Sequence, residues 1–267
     1  MKKGILVLAL ILLCTAGLAV AAEKELTGTI DVTYNSRYIW RGFDLYTNDH
    51  SEIQPSIDLD LYGTGLHAKV WMSRANGSGF ENQEEFDYTL YYVNSLFEGE
   101  TYKTNYTIGW TYYDYPDQPS TAADAQEAFA KVAFPHLCPM ESGIVPSYTV
   151  IKMWPAKEHS AAVDAFTDSG WLHVFGLDYA LKVPELMEQP INLHWETVYN
   201  DGTGVNYETQ TTNVDHDWSH MMMGASVNFD LAKNLTLTPG VYYQNSWEDT
   251  VNDDDETWFS IKLAYTF

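Results

Sequence analysis

The last eleven residues of the 267-residue chain, Thr257-Trp258-Phe259-Ser260-Ile261-Lys262-Leu263-Ala264-Tyr265-Thr266-Phe267, decide how the rest is read. In an extended strand, successive side chains point to opposite faces. Phe259, Ile261, Leu263, Tyr265 and Phe267 therefore share one face, and Trp258, Ser260, Lys262, Ala264 and Thr266 share the other. A closed barrel in lipid turns an apolar face outward and rims it with aromatic residues. The pattern thus points to an all-β, membrane-spanning antiparallel up-and-down barrel. A soluble sandwich or lipocalin-like barrel would bury the same face inward and is the competing reading.

The opposite end of the chain sets the compartment. Lys2 and Lys3 precede an apolar run from Ile5 to Leu13 and the small-residue stretch Ala19-Val20-Ala21-Ala22, as in a secretory signal peptide. We expect residues 1–22 to be removed and residues 23–267 to form one outer-membrane barrel domain. Cys14 follows Leu12-Leu13 rather than a small residue, which excludes a lipoprotein reading, and Cys138 alone offers no disulfide. The chain has 14 basic and 37 acidic residues, so without Lys2 and Lys3 the balance is 12 − 37 = −25. That charge argues against binding nucleic acid or an anionic surface.

Alternation predicts twelve strands: Leu26–Gly42, Glu52–Tyr62, Gly65–Ala75, Glu85–Phe97, Thr101–Tyr113, Ala125–Phe134, Gly143–Trp154, Trp171–Val183, Ile191–Asn200, Trp218–Leu231, Leu235–Trp247 and Thr257–Phe267. An even number returns both termini to one side. The second segment is as regular as the last, with Ile53, Pro55, Ile57, Leu59 and Leu61 against Gln54, Ser56, Asp58 and Asp60. The phase blurs between residues 120 and 170, where an amphipathic helix over Ala122–Lys131 is the rival reading. Connections after even-numbered segments are mostly brief, and those after odd-numbered ones are long and acidic, such as the run Asp253-Asp254-Asp255-Glu256. Short periplasmic turns and long extracellular loops are the outer-membrane arrangement.

Tyr34 to Phe43 reads YNSRYIWRGF, and Tyr112 to Pro116 reads YYDYP. On Tyr38, Trp40, Arg41 and Gly42, and on this second landmark, the chain resembles the TorF-like porin family of outer-membrane barrels, best from about residue 27 to residue 116. The resemblance implies a barrel with a transport role and supplies no catalytic residues. The last strand likewise resembles the signal read by the barrel assembly machinery, with Phe259, Tyr265 and Phe267 as its candidate residues.

Inward parity selects the candidate pore-lining residues Arg37, Arg41, Asp58, Asp60, Lys69, Asp87, Lys103, Lys182, His194, Glu196, Asp230 and Lys262. Asp31, Asp178 and Lys131 share that parity. Arg41 can pair in the lumen with acids such as Asp58 or Asp60, either to tie strands together or to meet a substrate. Asp215, His216, Asp217, Ser219 and His220 invite a hydrolytic or metal reading, but Ser219 and His220 are adjacent and should face opposite ways on a strand. We expect no catalytic site, metal or cofactor. The anticipated function is a narrow, weakly cation-selective channel for small hydrophilic solutes. Its partners are the lipid bilayer, outer-membrane lipids and the assembly machinery. A non-conducting structural or adhesion barrel is the alternative, and a lipid-modifying enzyme a more distant one.

Overall fold

The structure, a computed structural model, describes residues 25–47, 50–121, 123–138, 143–157, 169–204 and 214–267. The expected signal peptide lies outside them. The described residues form fifteen strands: β1 (Thr27–Asn35), β2 (Ile39–Trp40), β3 (Phe43–Asp44), β4 (Glu52–Asp60), β5 (Leu66–Ala75), β6 (Glu85–Leu96), β7 (Thr104–Asp114), β8 (Ala125–Ala133), β9 (Val145–Pro155), β10 (Trp171–Leu181), β11 (Ile191–Asp201), β12 (His216–Val227), β13 (Phe229–Ala232), β14 (Leu235–Ser246) and β15 (Glu256–Thr266). β13 continues β12 past Asn228, and both pair with β14. β2 and β3 form a separate two-stranded hairpin. The remaining strands make a twelve-stranded antiparallel barrel in which β1 pairs with β15 and the β12–β14 pairing closes the ring.

Residue type explains why the sheet closes with its apolar face outward. Ile30, Leu90, Val241, Phe259 and Tyr265 are each about half exposed on the outside. Glu52, Ser73, Asn200, Gln244 and Glu256 are almost completely buried. A water-soluble domain places these classes the other way round. Closure also pairs every strand edge, which lipid requires because its core has no water to satisfy free N–H and C=O groups.

Alternation located the strands well and some of their ends poorly. The first ends at Asn35, not Gly42. The fifth begins at Thr104, which leaves Lys103 in a turn, and the eighth ends at Leu181, which leaves Lys182 beyond it. The segment open to a helical reading is β8. The strand ends joined by residues 61–65, 97–103, 134–144, 182–190 and 233–234 lie at the end of the barrel that holds the start of β1 and the end of β15, while those joined by the longer connections lie at the other.

Candidate functional site

The first long connection turns into the barrel instead of away from it. Trp40 pairs with Phe43 across Arg41 and Gly42, whose φ angles are 51° and 99°. Positive φ at both central residues is the two-residue type I′ hairpin turn. Gly adopts it freely, but Arg does so at a cost. Asn-Gly or Asp-Gly would have announced the turn; Arg-Gly, placed after aromatic alternation, reads as more strand.

Contacts around the whole wall hold the hairpin across the lumen. On one side the Tyr38 hydroxyl donates to Glu85 Oε2 at 2.9 Å, and Tyr46 meets Ser73 Oγ at 3.2 Å, itself a donor to Glu52 Oε2 at 2.5 Å. In the middle, Arg41 Nη2 lies 2.6 Å from Glu127 Oε2, and its guanidinium sits 4.7 Å from the Trp40 ring centre. On the far side Gly42 O accepts from Gln244 Nε2 at 2.8 Å and Asn252 Nδ2 at 3.1 Å. The wall under the hairpin is apolar there: Tyr113, Ala125, Ile151, Met153, Leu172 and Val198 form a buried cluster against which Trp40 packs. Phe43 packs with Val214 and Val251.

The two sequence landmarks are thereby one structure. Trp40 meets Tyr113 edge-on at 6.0 Å, and Tyr112 and Tyr115 both hydrogen-bond to Asp124. Arg41 pairs with Glu127, not with Asp58 or Asp60 as expected. Both side chains of this pair are largely buried, so removing one strands the other charge at a cost of about 3–5 kcal/mol. We expect Arg41→Met to destabilise the protein by about that much in urea unfolding from lipid vesicles, and Glu127→Gln added to it to restore most of the loss. Additive losses would show that the two groups are not coupled.

Below the hairpin lies a chamber of about 560 Å³, which gathers Arg37, Arg41, Asp58, Lys69 and Asp87 from the expected pore-lining set. Arg37 is paired with Glu256, and Asp58 accepts from the Tyr91 hydroxyl. A second cavity, of about 590 Å³, takes in Asp178 and His194. His194 bridges two acids, with Nδ1 2.6 Å from Asp178 Oδ1 and Nε2 3.2 Å from Glu196 Oε2.

Other members of that set fall elsewhere. Lys103 pairs with Glu98 at 2.8 Å in the turn, and Lys103 with the Ser95 hydroxyl holds the Glu98 carboxyl below its usual range. Lys182 is exposed past the end of β10. Asp60 caps a turn by accepting from Gly63 N–H at 2.8 Å, and Asp230 accepts from the Thr236 hydroxyl at 3.0 Å. Lys262 is exposed and lines neither cavity. Sequence reading overlooked Glu52, Glu85 and Glu127, although each has inward parity at the first turns of its strand; the hairpin that claims them was not visible.

Ser219 and His220 correct the parity argument made for them. Val198 pairs with His220 while Tyr199 pairs with Trp218, so Ser219 is the extra residue of a β-bulge. Both side chains are consequently buried together, with Ser219 Oγ 2.9 Å from His220 Nδ1 and 3.2 Å from Val198 O. His216 is separate and exposed, 2.6 Å from Asp201.

Residues 19–150 match a family model described as "Bacterial protein of unknown function (Gcw_chp)", a span that includes both landmarks. No curated protein matches the chain. Among solved structures, the NanC porin is similar with a TM-score of 0.56 at 9% identity, over 88% of this chain and 98% of that one. The KdgM porin gives 0.52 at 10% identity, over 90% and 99%. An outer membrane channel from Pseudomonas putida F1 gives 0.52 at 9%, over 92% and 96%. The fold is that of these porins.

Proposed function

We propose that the chain is an outer-membrane channel of porin type, exported by a cleaved signal peptide, that passes small hydrophilic solutes passively through a bore narrowed by the inward hairpin. The observation that carries this reading is a chamber lined by charged and hydroxyl side chains inside a closed, apolar-coated barrel. Interior width agrees: about 8 strands fill their own lumen and 16–18 leave an open aqueous channel, so twelve suit a restricted one. Single-channel recording tests it. Discrete conductance above the empty bilayer is expected; silence from protein shown to be folded would favour a structural barrel, the reading that the tightly held hairpin supports.

Hydrolysis fits less well. The Ser219 hydroxyl is within reach of both His220 and a backbone carbonyl, and it is 1% exposed. A lipid ester would have to cross the barrel wall to reach it. An Oγ nucleophile also needs its base free to take a proton from the attacking position, whereas the His220 ring is wedged against Gly42 of the hairpin.

Selectivity should come from the rim. The chamber's cations face at least as many acids, and the exposed loop acids act through water over about 8–10 Å at ordinary salt. Asp255 is less a rim charge than a loop fastener. Its carboxylate takes hydrogen bonds from the Tyr243 hydroxyl, Ser246 N–H and Asn245, which hold it in its charged form below the usual range. Asp253→Asn with Asp254→Asn is therefore the clean test. We expect the reversal potential in a salt gradient to move toward zero from a weakly cation-selective value, less so at high salt; anion preference in the unmodified protein would assign control to the lumen cations.

A further inference from the structure

The chamber beneath the hairpin contains hydrogen-bonding groups that the protein itself does not use. Lys69 has no ion pair or hydrogen bond among the described residues, although Asp58 lies directly opposite it on β4. Trp40, Trp71 and Trp258 line the same space, and none of their indole N–H groups has a partner among those residues. Indole nitrogen donates and cannot accept, as is true of the ammonium. The unmet demand is thus for acceptor oxygens.

The charges narrow the choice. Arg37 is taken by Glu256 and Arg41 by Glu127, and Glu52, Asp58 and Asp87 share the lining. Lys69 is left as the single unclaimed cation against these acids. A polyanion would meet repulsion on most sides. An organic cation would leave every free donor unanswered, and buried groups left unpaired are what reject a wrong ligand most strongly. An uncharged polyol satisfies both conditions, because its hydroxyls accept from the indoles and Lys69 and donate to the carboxylates. Ring C–H faces would pack on Trp71, Trp258 and Phe129, supplying area that the aromatic walls already provide. The volume, about 560 Å³, lies within the range of small-molecule sites, about 300–1,000 Å³.

We propose that this chamber binds an uncharged disaccharide. The proposal rests on the channel reading for its physiological sense, but binding can be measured without conduction. The experiment is a tryptophan-fluorescence titration of the detergent-solubilised full-length protein with maltose, sucrose and lactose, and in parallel with digalacturonate, the anionic class named for the ligand of one similar porin, an oligogalacturonate. The expected result is a saturable response to at least one neutral disaccharide and none to digalacturonate.

Two variants locate the site. Lys69→Ala removes a side chain that makes no hydrogen bond or ion pair among the described residues, so the fold should survive and the apparent affinity should fall about tenfold, the scale of one charge-assisted hydrogen bond. Trp71→Ala should weaken binding about three- to tenfold through lost stacking. No saturable response to any of the three disaccharides would overturn the proposal. So would tighter binding of digalacturonate, or an affinity unchanged in both variants. Conductance without saccharide binding would leave the channel reading standing and this one refuted; binding without conductance would do the reverse.

Discussion

Replacing Ile39 through Leu45 with a short Gly-Ser bridge should raise single-channel conductance several-fold while leaving the barrel intact. The segment spans the mouth, touching Glu127 through Arg41, Gln244 and Asn252 through Gly42, and Val214 and Val251 through Phe43. No barrel strand depends on it for pairing: β1 meets β4 from Thr27↔Asp60 to Asn35↔Glu52 without help from the hairpin. A milder disturbance should give a milder effect. A side chain on Gly42 would come 2.7 Å from His220 Nδ1 and 2.8 Å from Val251 Cγ1, at a φ of 99°. Gly42→Val should therefore strain the seated hairpin by about 1–3 kcal/mol and appear as flickering openings in the same recordings. Unchanged conductance in the deletion would mean that the constriction lies elsewhere in the bore.

Loss of Phe267 should nearly abolish insertion in cells while sparing the stability of barrels already formed. Phe267 N–H donates to Gly28 O at 2.9 Å and its carbonyl accepts from Gly28 N–H at 3.0 Å, so its backbone belongs to the closing β1–β15 seam. Its ring is 41% exposed on the outer surface. Phe267→Ala keeps the seam and removes only the ring. It should refold from urea into preformed vesicles with a stability within about 1 kcal/mol of the parent, as peripheral substitutions usually do. In cells the same variant should accumulate as protease-sensitive chains outside the membrane fraction. Normal surface levels would end the assembly role given to Phe259, Tyr265 and Phe267.

The limits of sequence reading have a specific cause. Alternation was plainest where the inner face carries polar residues, as in β4 with Gln54, Ser56 and Asp58, and in β15. It failed between residues 120 and 170 because the hairpin needs an apolar seat there. Ala125, Ile151 and Met153 point inward and are buried, so apolar residues fall on both faces of β8 and β9. The blurred phase was thus a trace of the inward hairpin. The same segment misled at Arg41, whose strand-like context concealed a type I′ turn, and at Ser219, where a bulge that depends on the partner strand reversed the parity.

The sequence by itself determined the barrel, its twelve strands, the lipid-facing residues and the end at which the long connections gather. Each of these follows from period-two patterning, which is local and repeats in every strand. Tertiary structure alone decided that residues 36–46 fold inward, that Arg41 finds Glu127 across the lumen, and that Ser219 and His220 meet. The first two join residues far apart in the chain and depend on the curvature of the closed sheet, which brings opposite walls within reach of one hairpin; the third joins neighbours and depends on the bulge that pairing with β11 imposes.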